Sequence, residues 1–497
     1  MKKKYVRWTL WTIASPFILF IILCILIYLP PIQNFLVDKA AVYASEATGM
    51  NISVGRISLS FPLNLVVTNV DAASPHNDTL LSVRRLQVNV QLLPLLKKQV
   101  EVDGISLQGA TVNSNDLIHG MKLNGTLGEL FISSHGVALD PETAIVNKVL
   151  LKDTDLSLCL NDTAAADTAA SDTTYWKIIL QDIDLQNVSF AQDMPLDSLS
   201  LAASLDNAIL RDGLIDLHKS TYSLQTFRIE NGRVRYDNGK PLAADSLSSG
   251  LDPSHIALTD IGVKLDSLYY EGRNMKAIIS QFVLKERSGV EIVSATGRMV
   301  SNDKVLRVPS LKLETRDSYL ELNAAMDWNA LDFKDEGLVS ARLMADIGKP
   351  DVMRFMGSMD EKFIRQYPSE PLRIRTGIDG DLNKLKLTTL TAELPGALGL
   401  FARGELTHLT DSLLRGGDIT LEAETKDLKF VSTLAEGIEI PYGTRLEGKF
   451  TMAGTKMGTD LLLMQPEAQA VVAADTIPIT VYNDSISVAD DFKMERA

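Results

Sequence analysis

The residues able to do chemistry are few, and their spacing does not serve it. The six histidines are His76, His119, His135, His218, His255 and His408, and no two stand at a metal-ligand spacing. Cys159 has no nucleophile motif around it, and no Gly-x-Ser-x-Gly elbow occurs. Gly443, four residues, then Gly448-Lys449 matches the start of a phosphate-binding loop, but Phe450 stands where the magnesium-binding hydroxyl belongs. The carboxylate pairs Asp182/Asp184 and Glu422/Glu424 are two residues apart in alternating runs. That places them on the polar face of strands, where they serve solvation and edge protection. The expectation is therefore no enzyme, no metal and no cofactor. With 49 Lys+Arg against 63 Asp+Glu, a net charge of −14, and no basic segment after the N-terminus, the chain is also a poor nucleic-acid binder.

The elements that carry these residues alternate with period two. Leu86, Val88, Val90 and Leu92 alternate with Arg85, Gln87, Asn89 and Gln91, and Ile419 and Leu421 alternate with Asp418, Thr420 and Glu422. Leu156/Leu158, Val263/Leu265, Leu311/Leu313 and Leu320/Leu322 follow the same rule. Such strands have one apolar and one polar face, as in antiparallel sheets, and turn signals such as Asp237-Asn238-Gly239 separate them. About 32 strands of ~10 residues would fit the length. In several strands a glycine has apolar neighbours two residues away on each side, as in Leu123/Gly125/Leu127, Ala295/Gly297/Met299, Ile378/Gly380/Leu382, Ala402/Gly404/Leu406 and Leu446/Gly448/Phe450. These glycines fall on the apolar face, where they permit a bend. Helical stripes are confined to 31–48, 351–364 and 427–438, the last two following similar strand endings as an approximate internal repeat. Residues 161–174, made of Asp, Thr, Ala and Ser after Asn161, read as an exposed loop.

The N-terminus differs from all of this. Lys2, Lys3, Lys4 and Arg7 precede 22 residues, Trp8 to Leu29, that carry no charge. As a helix they would span about 33 Å, enough for the hydrocarbon core of a bilayer. Trp8 and Trp11 at one end and Tyr28 at the other sit where amphipathic rings prefer the interface. The alternative, a cleaved signal peptide, calls for a shorter apolar run. The expected organisation is a transmembrane anchor at 1–30, a short helix at 31–49, and repetitive β structure at 50–497. The positive-inside rule puts the N-terminus in the cytoplasm and the bulk of the chain across the membrane. Of the two cysteines, Cys24 lies in the span and Cys159 outside it, so no intramolecular disulfide is expected.

A single N-terminal span, a short helix, then Ala47-Thr48-Gly49 and Met50-Asn51-Ile52-Ser53-Val54-Gly55-Arg56-Ile57, followed by hundreds of residues of strand, resembles the AsmA/TamB-like family of Gram-negative envelope proteins. The resemblance rests on pattern over the whole chain and is best at residues 1–70. The bridge-forming members are much longer. The resemblance implies a long curved antiparallel sheet forming an apolar groove. It also implies a function in conducting phospholipids from the inner membrane through the periplasm toward the outer membrane. The groove-lining residues expected on this basis are Leu86, Val88, Val90, Leu92, Leu156, Leu158, Val263, Leu265, Leu311, Leu313, Leu320, Leu322, Ile419 and Leu421. The partners are then the inner membrane and phospholipid acyl chains, with an outer-membrane protein as a further one. The alternative is a scaffold for outer-membrane β-barrel assembly that acts by strand-edge pairing.

If residues 1–30 are an uncleaved anchor, a reporter fused after Ala497 is active only outside the cytoplasm. The membrane-bound protein then keeps its N-terminal segment. A mature chain starting near Ser45 on N-terminal sequencing would contradict this.

Overall fold

The computed structural model describes residues 39–488 apart from 40, 43–44, 47, 61–63, 75–77, 91–101, 115–120, 139–141, 162–174, 240–249, 333–336, 358, 434–441, 465–470 and 483–484. The expected span at 1–30, with Trp8, Trp11 and Tyr28, lies outside the described residues, as does most of the 161–174 loop. Among the described residues no helix is long and apolar enough to cross a membrane. The described residues between Lys39 and Thr48 are helical. Gly49 ends that helix with φ +69°, its amide donating to the Ser45 carbonyl at 2.9 Å. Among the described residues the fold is mainly β. Strands of up to 18 residues lower the count to 24 among the described residues, against the 32 expected from an average length. The chain divides into two compact units, residues 1–219 with 229–239, and residues 220–228 with 240–497.

The first unit contains β1 (Asn51–Ser60), β2 (Asn64–Ala73), β3 (Thr79–Val90), β4 (Val102–Asn113), β5 (Met121–Ala138), β6 (Thr143–Leu160), β7 (Lys177–Met194), β8 (Leu199–Asp216) and most of β10 (Thr226–Asp237). From β1 to β6 each strand pairs antiparallel with the next. β7 pairs antiparallel with β8, and β10 pairs with β8. The expectation of an all-antiparallel sheet fails at one place. β6 and β7 run parallel, with Thr143 opposite Lys177 and Cys159 opposite Asp193. A parallel step needs a crossover connection, and residues 161–176 join strand ends that lie a strand length apart, about 56 Å.

A second departure is shared by every strand from β1 to β8. The apolar alternation takes one step of three: Val54/Ile57, Val67/Val70, Val83/Leu86, Leu107/Ala110, Leu127/Leu130, Leu151/Thr154, Leu185/Val188 and Leu205/Ala208. The steps are in register, so the paired rows on either side of them remain aligned. Asn69, Gly109, Asp153 and Asn187 stand within these steps, and Asn231 stands in β10. All five adopt left-handed backbone, with φ between +48° and +62°. Gly, Asn and Asp are the residues that tolerate this conformation.

The second unit contains β9 (Thr221–Leu224), β11 (His255–Glu271), β12 (Asn274–Glu286), β13 (Glu291–Ser301), β14 (Val305–Thr315), β15 (Tyr319–Asp327), β16 (Leu338–Ile347), β17 (Leu372–Asp381), β18 (Lys384–Leu394), β19 (Leu398–Thr407), β20 (Gly416–Thr425), β21 (Arg445–Ala453), β22 (Lys456–Met464), β23 (Val471–Tyr482) and β24 (Ser485–Val488). All of its pairings are antiparallel, with β9 beside β11 and sequence neighbours paired from β11 onward. Among its described residues three short helices interrupt it: α1 (Trp328–Leu331), α2 (Lys349–Met356) and α3 (Glu361–Gln366). The single helix expected over 351–364 is thus two, because Gly357 at φ +72° turns the chain out of the helix. The helix expected over 427–438 is a 3₁₀ turn at Val431–Thr433, and 434–438 lie outside the described residues. The two repeat-related insertions nevertheless meet. Val352, Met353 and Phe363 from one pack with Leu428, Phe430 and Val431 from the other around Leu394 and Ala397 of the β18–β19 turn. Phe363, Tyr367 and Phe430 bring their rings to centroid distances of 5.2–5.7 Å.

A buried carboxylate ties α2 to the β14–β15 turn. Asp351 is 1% exposed and accepts hydrogen bonds from Thr315 Oγ1 and, at 2.6 Å, from Ser318 Oγ. Arg354 Nη1 bridges Asp351 Oδ1 and Asp317 Oδ2, at 2.8 Å each. Burial pushes the Asp351 carboxyl up. The hydroxyls of Ser318 and Thr315 and the Arg354 guanidinium overcome this and hold it below the ordinary 3.8. Arg354→Ala leaves the carboxylate buried without its cation, and is expected to cost about 3 kcal/mol in urea unfolding of the full chain. Because the folded-state pKa is depressed, the carboxylate contributes its stabilisation above the unfolded-state value and loses it as pH falls. The stability gap between wild type and Asp351→Asn should therefore be full at neutral pH and close below about pH 3.8.

Candidate functional site

Cross-strand registers place the apolar side chains in straight rows. In the first unit one row runs Ile57, Val67, Leu86, Leu107, Leu130, Leu151, Leu185, Ala208, one residue per strand. Val88 stands in a parallel row between Leu65 and Ile105, and Leu156 in another between Gly125 and Phe190. Leu158 lies opposite Leu123 and Gln192, and Val90 opposite Val102, where the register shifts. Leu92 lies outside the described residues.

In the second unit Leu265, Ile279, Gly297, Leu311, Leu322, Leu343, Thr376, Leu390, Ala402, Leu421 and Gly448 form one row across β11–β21. The adjacent row contains Val263, Phe282, Ala295, Leu313, Leu320, Ala345, Ile374, Ala392, Leu400, Ala423 and Leu446. Ile419 belongs to a third, between Gly404 and Phe450. Sequence-distant leucines expected to line one surface thus stand side by side within each unit.

These rows have no buried second layer among the described residues. Every described residue of the expected lining is half-buried rather than buried. The mid-strand hydrophobics that are buried are small or lie in the first unit's central rows, such as Ala295, Ala345, Ala402, Val83 and Ala110. The two largest fully buried side chains, Phe363 and Asp351, belong to the helical insertions at the strand ends. A contiguous apolar surface of this kind is the candidate binding face. The opposite side of the strands is charged and wet. Arg375 pairs with Asp346 at 2.6 Å, Lys449 with Asp418 at 3.3 Å and Arg445 with Glu424 at 3.7 Å, all at half-exposed or exposed positions that stabilise by at most ~1 kcal/mol each.

Several of the chemistry-bearing residues have side-chain partners nearby. Asp182 and Asp184 both pair with Arg211, the latter at 2.9 Å. His255 Nδ1 lies 2.9 Å from Asp252 Oδ2 within a turn. That carboxyl is held below its ordinary value first by the Ser254 backbone amide and then by His255. Cys159 is a free thiol whose Sγ is 3.2 Å from Asn161 Oδ1. Among the described residues no group of His, Cys, Asp and Glu could hold a metal.

The glycines of the apolar face let strand backbones come close. A Cβ on Gly404 would meet the Asp418 carbonyl oxygen at 2.1 Å, and one on Gly125 the Asp155 oxygen at 2.1 Å. Sequence reading missed the three-residue steps of the first unit. Their signal is present, as apolar residues three apart with Gly, Asn or Asp between them. No family profile matches the chain, and no curated protein is significantly similar to it.

Gly404→Ala is expected to destabilise the second unit by about 3 kcal/mol, because backbone must move to admit the methyl. Gly399, whose added Cβ would meet nothing within 4 Å, is the control, and Gly399→Ala should stay within about 0.5 kcal/mol. Thermal or urea unfolding of the two variants checks the contrast.

Proposed function

We propose that this protein is an anchored periplasmic conduit that carries phospholipid acyl chains along an apolar β face and supports outer-membrane biogenesis. The observation that carries the reading is the set of largely apolar rows, mostly half-buried and without a buried second layer among the described residues. An apolar face must be hidden against another layer or a ligand, and an acyl chain would gain ~0.8 kcal/mol per methylene removed from water. The charge-free N-terminal run and the resemblance to AsmA/TamB-like proteins support a membrane attachment and a lipid cargo. A protein-assembly role acting through an open strand edge remains the second reading. It has one observation in its favour: the described pairing of β1 is with β2, along one of its edges.

The test is a charge placed within the rows. In a closed core, Leu322→Asp or Leu421→Asp would bury an unpaired carboxylate and cost several kcal/mol. On an open face water reaches the carboxylate. Both variants should then accumulate and melt near wild type, yet co-purify with severalfold less phospholipid than wild type when both are examined by mass spectrometry. Unfolding of both would refute the open face, and folded variants with undiminished lipid would refute the conduit. Crosslinks from β1 to unfolded barrel proteins would favour the second reading.

A further inference from the structure

The aligned three-residue steps of the first unit have a mechanical meaning. An ordinary bulge adds one residue to one strand, bends it locally and disturbs the ladder. Here both partners of each pair carry the extra residue at the same place, so the ladder resumes without a slip. Val54 is opposite Val70 and Arg56 opposite Thr68, with Gly55 and Asn69 between them. The facing residues are tightly fitted. A Cβ on Gly55 would lie 3.0 Å from Asn69 Cβ, and one on Gly128 would lie 2.7 Å from Asp153 Cβ. Asn187 Nδ2 donates to Asp153 Oδ1 at 2.9 Å across the parallel pair, and Asn231 Nδ2 donates to Asp206 Oδ2. Left-handed backbone recurs at Asn69, Asp153, Asn187 and Asn231, at φ +48° to +54°, so the row is maintained by side chains that accept that conformation.

We propose that this row is a fold line built into the first unit. It runs along the hydrogen-bonding direction, perpendicular to the strands, and turns the apolar residues on its two sides toward each other. It thereby sets the width of the apolar face offered to an alkyl chain. The bend stands on the backbone alone, whereas its role in width rests on the conduit reading.

The experiment uses the full chain with Asn187, and separately Asn69, changed to Gly, Ala and Val. A photoreactive residue at Leu151, which borders the row, reports bound phospholipid. A fold line requires left-handed backbone, so melting temperature should fall in the order Gly or Asn, then Ala, then Val. An ordinary strand position has the opposite preference, with Val the best of the four. A Val variant as stable as wild type, or more so, overturns the fold line. If the Val proteins do not accumulate, the Gly–Ala comparison decides, since Ala at or above Gly overturns it equally. Lipid capture should persist in Asn187→Gly and drop severalfold in Asn187→Ala. Undiminished capture in a destabilised but folded Ala protein overturns the role in width. Absence of captured lipid in the wild type overturns the conduit reading and, with it, the role in width. The stability order still decides the bend.

Discussion

A sheet whose apolar side has no buried second layer must hold itself together through its own ladders. Each strand here is fixed mainly by its neighbours, through backbone hydrogen bonds and apolar pairs such as Leu322 between Leu311 and Leu343. That constraint explains the regularity of the registers. A slip of one residue would carry a strand's leucines to the charged side and set its carboxylates among its neighbours' leucines. Along both edges of β16 and β20 the pairing runs without interruption. Where irregularities occur, they return the apolar set to the same face.

Closed packing is concentrated where the strands end. The Phe363–Tyr367–Phe430 cluster, the Asp351–Arg354 latch and the smaller group of Ala330, Val339 and Leu382 all sit at turns or at the insertions that replace turns. This division of labour lets the mid-strand rows stay half-exposed while the second unit still has an interior. It also separates the two meanings of burial in this protein. A buried polar group such as Asp351 is satisfied by several donors at once, whereas the exposed ion pairs on the outer side are individually dispensable.

Much of this was legible in the sequence. Alternation at 418–424 and 320–326 placed Ile419, Leu421, Leu320 and Leu322 on one side, and the register agrees. The face glycines were legible too, because a glycine between apolar i−2 and i+2 neighbours has few other uses. The helical insertions were overestimated, since amphipathic spacing over 351–364 says nothing of Gly357 adopting left-handed backbone. The parallel pair was not legible at all. Alternation reports a face and not a direction, and a polar low-complexity stretch looks the same whether it is a hairpin loop or a crossover. The three-residue steps were overlooked because a period-two search reads Val67-Thr68-Asn69-Val70 as a break between strands.

The parallel step between β6 and β7 divides the first unit in time. A hairpin can close as soon as its second strand exists, because the two meet at a short turn, and a chain of hairpins can zip up in the order in which it enters a compartment. β1 to β6 follow that order of pairing, each strand antiparallel to the one before it. β7 does not, since its first residue, Lys177, must find Thr143, at the far end of an 18-residue strand already laid down. Until it does, β6 presents a long unpaired edge to whatever else is nearby. Assembly of this unit therefore has a waiting point. The β7–β8 hairpin closes that edge through a pairing that no short turn assists.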